Sequence, residues 1–397
     1  MRIGSSHLSY CTNIHPGESW DEIRGNLTRH LPQVKRRVCP DAPFGVGLRL
    51  SALAARSLSE PDALAQFVGF LRENDLYVFT INGFPYGPFH GTRVKEDVYL
   101  PDWRDEARLE YTNTLADLLA ALLPADGDRY GSISTVPGAF KPNAATPHAI
   151  GQIADLLIRH VAHLLNLERN TGRTVVLALE PEPCCLLETV AETVAFFREH
   201  LHSRRAVTTL AALAGLEMRE AEAALHRHLG ACLDLCHAAV EFEDPADCLD
   251  ALAGAGIAIA KIQVTAGLRI AQVSADSVAG LQRFDDGVYL HQVIERAAGA
   301  LHRYVDIDAA CASDRWRGGD CEWRVHFHVP VYAEALDGFS STQPFVRAAL
   351  ALHRQRPRTP HLEVETYTWS VLPEHARDVP IDEAIARELQ WVKRELA

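Results

Sequence analysis

The sequence of 397 residues contains no run of 18 uninterrupted apolar residues and no extended cluster of basic residues. Without such an apolar run, we expect no membrane-spanning helix. The nearest approach to a basic cluster is Lys35-Arg36-Arg37, and the formal net charge is −13. Because binding to a nucleic-acid backbone depends mainly on lysine and arginine, this charge argues against nucleic acid as a partner.

The amino terminus also lacks the apolar segment of a signal peptide, and no repeat, low-complexity tract or flexible linker divides the chain. We therefore expect a cytoplasmic protein without membrane insertion, folded as one domain over residues 1–397. Hydrophobic residues make up 47% of the sequence and charged residues 23%, a balance that excludes general disorder. The nine cysteines form no compact disulfide pattern, so we expect reduced thiols in the core.

Short apolar runs rich in β-branched residues alternate with longer segments of helical periodicity, which is typical of repeated βα units and a parallel sheet. The predicted strands are 7–13, 45–50, 77–82, 131–136, 174–180, 230–236, 257–265, 325–329 and 362–366. The predicted helices are one that begins near Pro61, and then 104–123, 147–170, 187–200, 208–229, 342–354 and 380–396.

Nine strands are one too many for an eight-stranded barrel. The strand 325–329 follows a long stretch, 266–320, that is too polar and irregular to be a single helix. We therefore predict an α/β fold, a (β/α)8 TIM barrel with a large insertion after the seventh strand that contains 325–329. In such a barrel the functional residues lie at the carboxyl ends of the strands.

Three of the predicted barrel strands end in carboxylates. Glu180 closes the strand 174–180, Asp234 lies near the end of 230–236 with His237 three residues later, and Glu365 closes the last strand. Of the neighbouring pair Glu363 and Glu365, we expect Glu365 to be the one that faces the barrel interior. Each acidic residue also has a structural alternative, because a carboxylate at this position can cap the following helix or fix a loop.

His326 and His328 are two residues apart, so their imidazoles point the same way if the segment is extended. The alternative is a surface strand with two solvated imidazoles. Carboxylate and imidazole together are the ligand set of zinc, manganese, iron and cobalt. We therefore predict a divalent metal, Zn, Mn, Fe or Co, held by residues from this group.

Further polar residues lie on the same predicted strands. Lys261 and Gln263 share one face of the seventh strand, where the lysine could polarise a carbonyl group and Gln263 could act as a neutral oxygen ligand. The remaining candidates are predicted to contact substrate, and they are His7, Arg49, Asn82 and Glu182.

The motifs resemble those of the xylose-isomerase-like TIM barrels, the superfamily of sugar-phosphate isomerases and epimerases that also contains the endonuclease IV type of zinc enzyme. The sharpest match is Leu233-Asp234-Leu235-Cys236-His237. The resemblance implies a metal held by Glu180, Asp234 and Glu365, with Gln263 where the superfamily has histidine. It also implies a second metal cluster, of the endonuclease type, formed by His237, His326 and His328.

Three segments, 8–18, 179–183 and 363–369, are together similar to the EboE group, which is named for metabolite traffic. This resemblance implies a place in a metabolite pathway, with possible protein partners from that pathway.

The leading functional prediction is a metal-dependent isomerase or epimerase that acts on a sugar, a sugar phosphate or a cyclitol-type polyol. Glu180, Glu365 and Lys261 are its predicted catalytic residues. Two alternatives remain open: a two- or three-metal hydrolase of a small phosphoester, and a non-catalytic carrier that binds a polyol metabolite.

Overall fold

The computed structural model describes residues 1–90, 93–124, 129–144, 146–372, 377 and 379–397. Its strands up to the seventh barrel strand are β1 (Arg2–Ile3), β2 (Ser6–Tyr10), β3 (Phe44–Arg49), β4 (Leu76–Asn82), β5 (Tyr130–Thr135), β6 (Thr174–Leu179), β7 (Leu229–Asp234) and β8 (Ala258–Val264). The later strands are β9 (Ala266–Ile270), β10 (Val293–Ala297), β11 (Ala300–Tyr304), β12 (Cys321–Val329), β13 (Ala335–Leu336), β14 (Phe339–Ser341) and β15 (His361–Val364).

Strands β2 to β8 and β15 form a parallel, nearly closed barrel sheet, to which the short β1 adds an antiparallel edge. The last strand, β15, pairs with both β2 and β8. The remaining seam between β2 and β3 is bridged by Ser9, whose hydroxyl donates to Gly45 O at 2.6 Å and accepts from Gly47 N at 3.2 Å. The predicted α/β barrel is confirmed.

Helices follow the barrel strands and cover the outside of the sheet. Those before the seventh barrel strand are α1 (Trp20–Val38), α2 (Ala52–Leu58), α3 (Pro61–Glu73), α4 (Glu106–Leu122), α5 (Pro147–Thr171), α6 (Val190–Phe196), α7 (Arg204–Ala214), α8 (Met218–His228), α9 (Leu235–Val240) and α10 (Pro245–Gly254). The later helices are α11 (Ala275–Leu281), α12 (Ile307–Ala312), α13 (Gln343–Gln355) and α14 (Ile381–Glu395).

The helix ends carry the sequence signals expected of them. Ser19 and Glu22 form a reciprocal capping box at the start of α1. The predicted helix 208–229 is wrong in one respect, because Gly215 takes a left-handed conformation with φ of +62° and ends α7 there. The chain then starts a separate helix, α8.

The chain between β8 and β15 forms a second, antiparallel sheet with the strand order β11-β10-β12-β9-β14-β13. The predicted strand 325–329 belongs to this sheet, in β12, and not to the barrel. The pairing of β12 with β9 slips between Val325 and Val329, where four steps along β12 match two along β9. Such a bulge re-aims the side chains that it contains. Here it contains His326 and His328, which point into the mouth of the barrel.

All nine cysteines are free thiols, and seven of them are buried. None of the described helices is long and apolar enough to cross a membrane.

Candidate metal centre

Three carboxylates meet at the carboxyl end of the barrel. Glu180 directly follows β6, Asp234 is the last residue of β7, and Glu365 directly follows β15. One carboxylate oxygen from each lies within 4.8 Å of the other two, and all three side chains are buried. Parallel strands bring their carboxyl ends to one rim, which explains why residues so distant in sequence meet here.

Asp234 is held rigidly by its role as the cap of α9. Its Oδ1 accepts hydrogen bonds from Cys236 N at 2.7 Å, His237 N at 3.0 Å and Thr265 Oγ1 at 2.7 Å. Its second oxygen, Oδ2, is buried and has no hydrogen-bond partner among the described residues. The Asp-x-x-His spacing therefore places a fixed carboxylate and the first turn of a helix bearing His237 side by side.

Glu180 and Glu365 are each fixed through one oxygen. Gln263 Nε2 donates to Glu180 Oε1 at 2.7 Å, and the amides of Asn13 and Asn82 both donate to Glu365 Oε1 at 2.7 Å. Glu180 Oε2, Gln263 Oε1 and Asn13 Oδ1 are buried without a partner among the described residues. Buried polar atoms are normally satisfied, so a cluster of unpartnered oxygens fits a bound cation and a polar ligand.

Three imidazoles converge beside the carboxylates. His326 Nε2 lies 3.1 Å from His237 Nε2 and 3.1 Å from His328 Nε2. The other ring nitrogens are occupied: His237 Nδ1 is 2.8 Å from Pro181 O, and His328 Nδ1 is 2.6 Å from Glu365 O. Because a carbonyl oxygen only accepts, both Nδ1 atoms carry the proton.

The same holds for His326, whose Nδ1 is 2.7 Å from Gln292 Oε1. The Gln292 amide is oriented by its Nε2, which donates to Tyr99 Oη at 2.9 Å and to Pro183 O and Glu182 Oε1 at 3.2 Å. The amide oxygen therefore accepts from the imidazole. Orienting contacts of this kind are typical of histidines that bind metals.

The three Nε2 atoms consequently face one another, and in each neutral ring Nε2 directs its lone pair at the other two. The lone pairs of neighbouring neutral rings repel each other, and a cation between the rings would relieve this repulsion. Zinc and related ions bind imidazole nitrogen in this way. Asp234 and Glu182 add carboxylate oxygens within 4.8 Å of pairs of these rings. The residues present thus fit two metal positions, one rich in oxygen and one rich in nitrogen, with Asp234 next to both.

Burial dominates the electrostatics of the carboxylates. It raises the pKa of Glu180 to about 7. Burial, followed by the charges of Glu180 and Asp234, raises the pKa of Glu365 well above its usual range. These carboxylates repel one another at close range, which a cation would relieve.

Burial also lowers the pKa of His328 to about 4 and that of His326 well below its usual range. For His237 burial acts in the same direction, but Asp234, Glu182 and Glu180 outweigh it, and the pKa is raised. At least two of the three rings are therefore neutral at neutral pH, which is the protonation state that a metal ligand requires.

A cavity lies over both groups of ligands. The polar residues that line it include the carboxylates of Glu180, Glu182 and Glu365 and the imidazoles of His237, His326 and His328. Its walls are largely aromatic and include Phe84, Phe89, Tyr99, Tyr289 and Tyr367. The arrangement combines polar groups at the base with apolar sides, as small-molecule sites commonly do.

No protein-family model matches the chain, and no curated protein matches it in sequence. Among solved structures, a xylose isomerase-like TIM-barrel protein from Mycobacterium smegmatis in complex with magnesium is similar with a TM-score of 0.51 and 13% identity, over 100% of this chain and 98% of that one. The fold is the xylose isomerase-like TIM barrel. Two others have lower TM-scores: a xylose isomerase domain protein from Alicyclobacillus acidocaldarius (0.44, 14% identity, 98% of each chain) and the probable 3-DHS dehydratase AsbF from Bacillus anthracis (0.43, 13%, 97% of each).

The xylose isomerase-like barrel brings most of the residues singled out in the sequence to one place. Those at the cavity or its floor are Asn82, Glu180, Glu182, Asp234, His237, Gln263, His326, His328 and Glu365. Gln263 contributes through Glu180, because its amide nitrogen binds that carboxylate, while its oxygen remains unpartnered.

Three predicted site residues lie outside this cavity. Lys261 is fully buried below the carboxylates, where its Nζ pairs with Glu363 Oε2 at 2.5 Å. His7 belongs to the amino end of the barrel and its Nδ1 bonds Tyr77 Oη at 2.8 Å. Arg49 donates to Gly17 O and Gly87 O beside a separate, smaller cavity. The expectation that these three side chains border the main cavity therefore needs correction, because none of them is among its lining residues.

The expectation that only Glu365 faces the barrel interior also needs correction. Residues two apart on a strand share a face, so Glu363 and Glu365 both point inward, at different depths. Glu363 reaches the barrel core and pairs with Lys261, whereas Glu365 lines the cavity. Gly47 makes room for the lower carboxylate, since a Cβ there would lie 1.7 Å from Glu363 Oε1.

Several residues of the site were not singled out in the sequence. Asn13 follows the first barrel strand in a 3-10 turn, so its place at a strand end was the available signal. Thr265 ends the predicted strand 257–265 and carried the same signal, whereas Tyr99 and Gln292 had none. Each bonds a candidate metal ligand that is distant in sequence. Gln292 accepts a hydrogen bond from His326, and the Tyr99 hydroxyl donates to Glu182 at 2.7 Å.

Proposed function

We propose that the protein is a metal-dependent isomerase or epimerase that acts on a sugar, a sugar phosphate or a cyclitol-type polyol. One observation carries the proposal: three buried carboxylates and three buried imidazoles bring their ligand atoms together beside a cavity, and two of the carboxylates, those of Glu180 and Asp234, each have an oxygen without a partner among the described residues. The magnesium bound by the Mycobacterium smegmatis protein is consistent with it, as is the fold.

Two positions would hold divalent ions. Glu180, Asp234 and Glu365 would form the first, and His237, His326 and His328 the second. A bound Zn, Mn, Fe or Co ion supplies Lewis-acid polarisation of a substrate oxygen. The cavity directly above exposes both positions to a small molecule.

The protein itself would provide the proton transfer. Glu180 and Glu365 border the cavity and are each anchored through one oxygen only, by Gln263 and by two asparagines. Either carboxylate could take a proton from a substrate carbon. Isomerisation would return the proton to the neighbouring carbon, whereas epimerisation would return a proton to the same carbon from the opposite face, which the second carboxylate would supply. Lys261 is not among the residues that line the cavity, and it would support the site through its ion pair with Glu363.

A phosphoester hydrolase is the second candidate, because the histidine cluster favours a second ion. Hydrolysis by a two-metal site needs both positions filled, whereas isomerisation needs the carboxylate position. One ion per chain would therefore exclude the hydrolase, whereas two ions are compatible with either reaction and leave the assay of proton transfer to distinguish them.

The place in an Ebo-type metabolite pathway, with protein partners from that pathway, rests on the similarity of the segments 8–18, 179–183 and 363–369 to the EboE group. A carrier without catalysis would use the same cavity to bind a polyol metabolite. It differs from an enzyme only in the absence of turnover.

The test is a metal analysis combined with an assay of proton transfer. Purified protein, reconstituted with Zn, Mn, Fe(II) or Co, is analysed for bound ions by mass spectrometry. Deuterium incorporation into a panel of ketoses and cyclitols in D2O then reports proton abstraction from carbon without knowledge of the product. We expect at least one stoichiometric ion in the wild type and loss of deuterium incorporation in Glu180→Gln.

Variants separate the two metal positions. Asp234→Asn should weaken both positions, and His326→Ala should remove one ion if the histidines hold one. His353→Ala is the matched control, because His353 is also a buried imidazole but bonds Ser6 and Arg358 far from the cavity. A protein without stoichiometric metal, unchanged by Asp234→Ala, would exclude the proposal. Bound polyol without turnover would identify a carrier.

A further inference from the structure

We infer that this cavity selects an uncharged, polyhydroxylated ring and rejects the phosphorylated form of the same compound, and that Asn13 recognises one of its hydroxyl groups. The inference rests on the proposed function, since it concerns the substrate of the same site. It narrows the substrate class from sugars, sugar phosphates and polyols to those without a phosphate.

The positive charges around the cavity are already engaged. Among the described residues that line it, Lys95 is the one lysine or arginine, and its Nζ lies 2.6 Å from Asp306 Oδ2 and 3.3 Å from Asp285 Oδ1. Arg49 is turned to backbone carbonyls outside the cavity, and Lys261 is paired below it. Phosphate groups are usually bound by arginine or lysine, and none of these three is available.

The usual phosphate position of a barrel is also changed. In many TIM barrels the loops after the seventh and eighth strands bind phosphate together with a short helix. Here β8 ends at Val264 and β9 begins at Ala266, so the seventh barrel strand continues almost directly into the second sheet. In the described part of the chain, no loop directly after the seventh barrel strand is therefore available to surround an anion.

A hydroxyl group, in contrast, finds a prepared acceptor. Asn13 is buried at the cavity, and its orientation is fixed because Nδ2 donates to Glu365 Oε1 at 2.7 Å. Its Oδ1 has no partner among the described residues. Asn82 donates to the same oxygen, but its own Oδ1 accepts from Phe84 N at 3.0 Å. Of the two amides, Asn13 alone offers a free acceptor.

The aromatic walls of the cavity suit a cyclic substrate. Phe89, Tyr289 and Tyr367 stand against one another with ring centroids 5.2 Å apart in each pair. Aromatic faces pack against the C–H face of a saturated ring while the hydroxyl groups at its edge reach polar partners. A cyclic polyol over the ligand cluster would therefore meet carbon at its sides and Asn13 at its rim.

The experiment compares matched pairs on metal-loaded protein whose ion content has been measured first. The probes are myo-inositol and its 1-phosphate, glucose and its 6-phosphate, and fructose and its 6-phosphate, with affinities from isothermal titration calorimetry. We expect a neutral member to bind, and its phosphate to bind about tenfold or more weakly, because Lys95, the described lysine that lines the cavity, is already paired with two aspartates and does not offset the added negative charge. Stronger binding of the phosphates, or no binding of any neutral probe, would overturn the inference.

Asn13→Ala and Asn82→Ala give the second arm. Both variants lose one hydrogen bond to Glu365, so both should have the same effect on metal content. The difference between their affinities for the neutral probe therefore reports the contribution of the free Asn13 Oδ1. We expect Asn13→Ala to bind the neutral probe up to about tenfold more weakly than Asn82→Ala does. Equal affinities would exclude recognition by Asn13. A failure of the proposed function would be seen separately, as absent metal or absent deuterium incorporation in the wild type.

Discussion

Replacement of Lys261 by methionine tests how the barrel core supports the metal centre. Lys261 and Glu363 are both without solvent exposure, and their charged atoms lie 2.5 Å apart. Burial raises the pKa of the Glu363 carboxyl group, and the Lys261 ammonium lowers it. Methionine has a similar length but no charge. An isolated buried carboxylate cannot remain ionised at low cost, so Glu363 should fold as the neutral acid in this variant.

The magnitude follows from the proton that the variant takes up. A glutamate in the unfolded chain has a pKa of about 4.3, and each pH unit above this value costs about 1.4 kcal/mol if the folded state keeps the proton. The loss of stability from this source is about 2 kcal/mol at pH 6 and about 5 kcal/mol at pH 8. The folded state binds one more proton than the unfolded state, so the loss grows as the pH rises. The upper value agrees with the cost of about 3–5 kcal/mol for breaking a buried ion pair.

Urea denaturation in the presence of a chelator, at pH 6, 7 and 8, measures this loss without a contribution from bound metal. The double variant Lys261→Met/Glu363→Gln is the control, since it removes both charges and its deficit should not depend on pH. Equal deficits of the single variant at pH 6 and pH 8 would refute the reasoning. Metal content and deuterium incorporation of the double variant then decide the role of the lysine: loss of turnover with normal metal content would show that Lys261 acts on the substrate.

Two further substitutions test the packing and the charges around the site. Gly47→Ala should destabilise the protein by about 1–3 kcal/mol, because the new Cβ would overlap the Glu363 carboxylate, whereas Gly25→Ala in an open part of α1 should not; equal unfolding midpoints would contradict this. Burial raises the pKa of Glu388 to about 7 while Val331 N and Thr366 Oγ1 donate to it, so its stabilising effect is lost as the pH rises from about 4.5 through 7. Glu388→Gln should make the pH dependence of unfolding shallower by on the order of 3 kcal/mol over that range, and parallel curves would exclude a titrating Glu388.

The fold could be predicted because it depends on local patterns. Apolar, β-branched runs alternate with helical periods, and eight of the nine strands that they predict are the strands of the barrel. The carboxylates at the ends of β6, β7 and β15 could be found for the same reason, since a parallel barrel brings all such ends together. Gly215 marks the break between α7 and α8 in the sequence. The helical periodicity continues across this glycine, so the sequence pattern predicted one helix instead of two.

Depth within the barrel could not be predicted. The period of two along a strand shows which face a side chain occupies, but not at which level it lies. Lys261 and Gln263 share a face, as do Glu363 and Glu365, yet the first member of each pair is in the core and the second is at the metal centre. Asn13, Tyr99 and Gln292 were not predicted for another reason, because each acts on a residue at least 34 positions away.

The charges at the mouth of the barrel favour two ions over one. Five buried carboxylates, those of Glu180, Glu182, Asp234, Glu363 and Glu365, stand against the single ammonium group of Lys261. With all of them ionised the excess is four negative charges, which two divalent cations would balance. Protons could offset part of this excess on the carboxylates and on His237, whose pKa is raised, but they would leave the Nε2 lone pairs of the neutral His326 and His328 rings directed at each other. A second cation between the imidazoles would balance the charge and separate these lone pairs, so we expect two ions per chain, and a count of one would exclude the two-metal hydrolase.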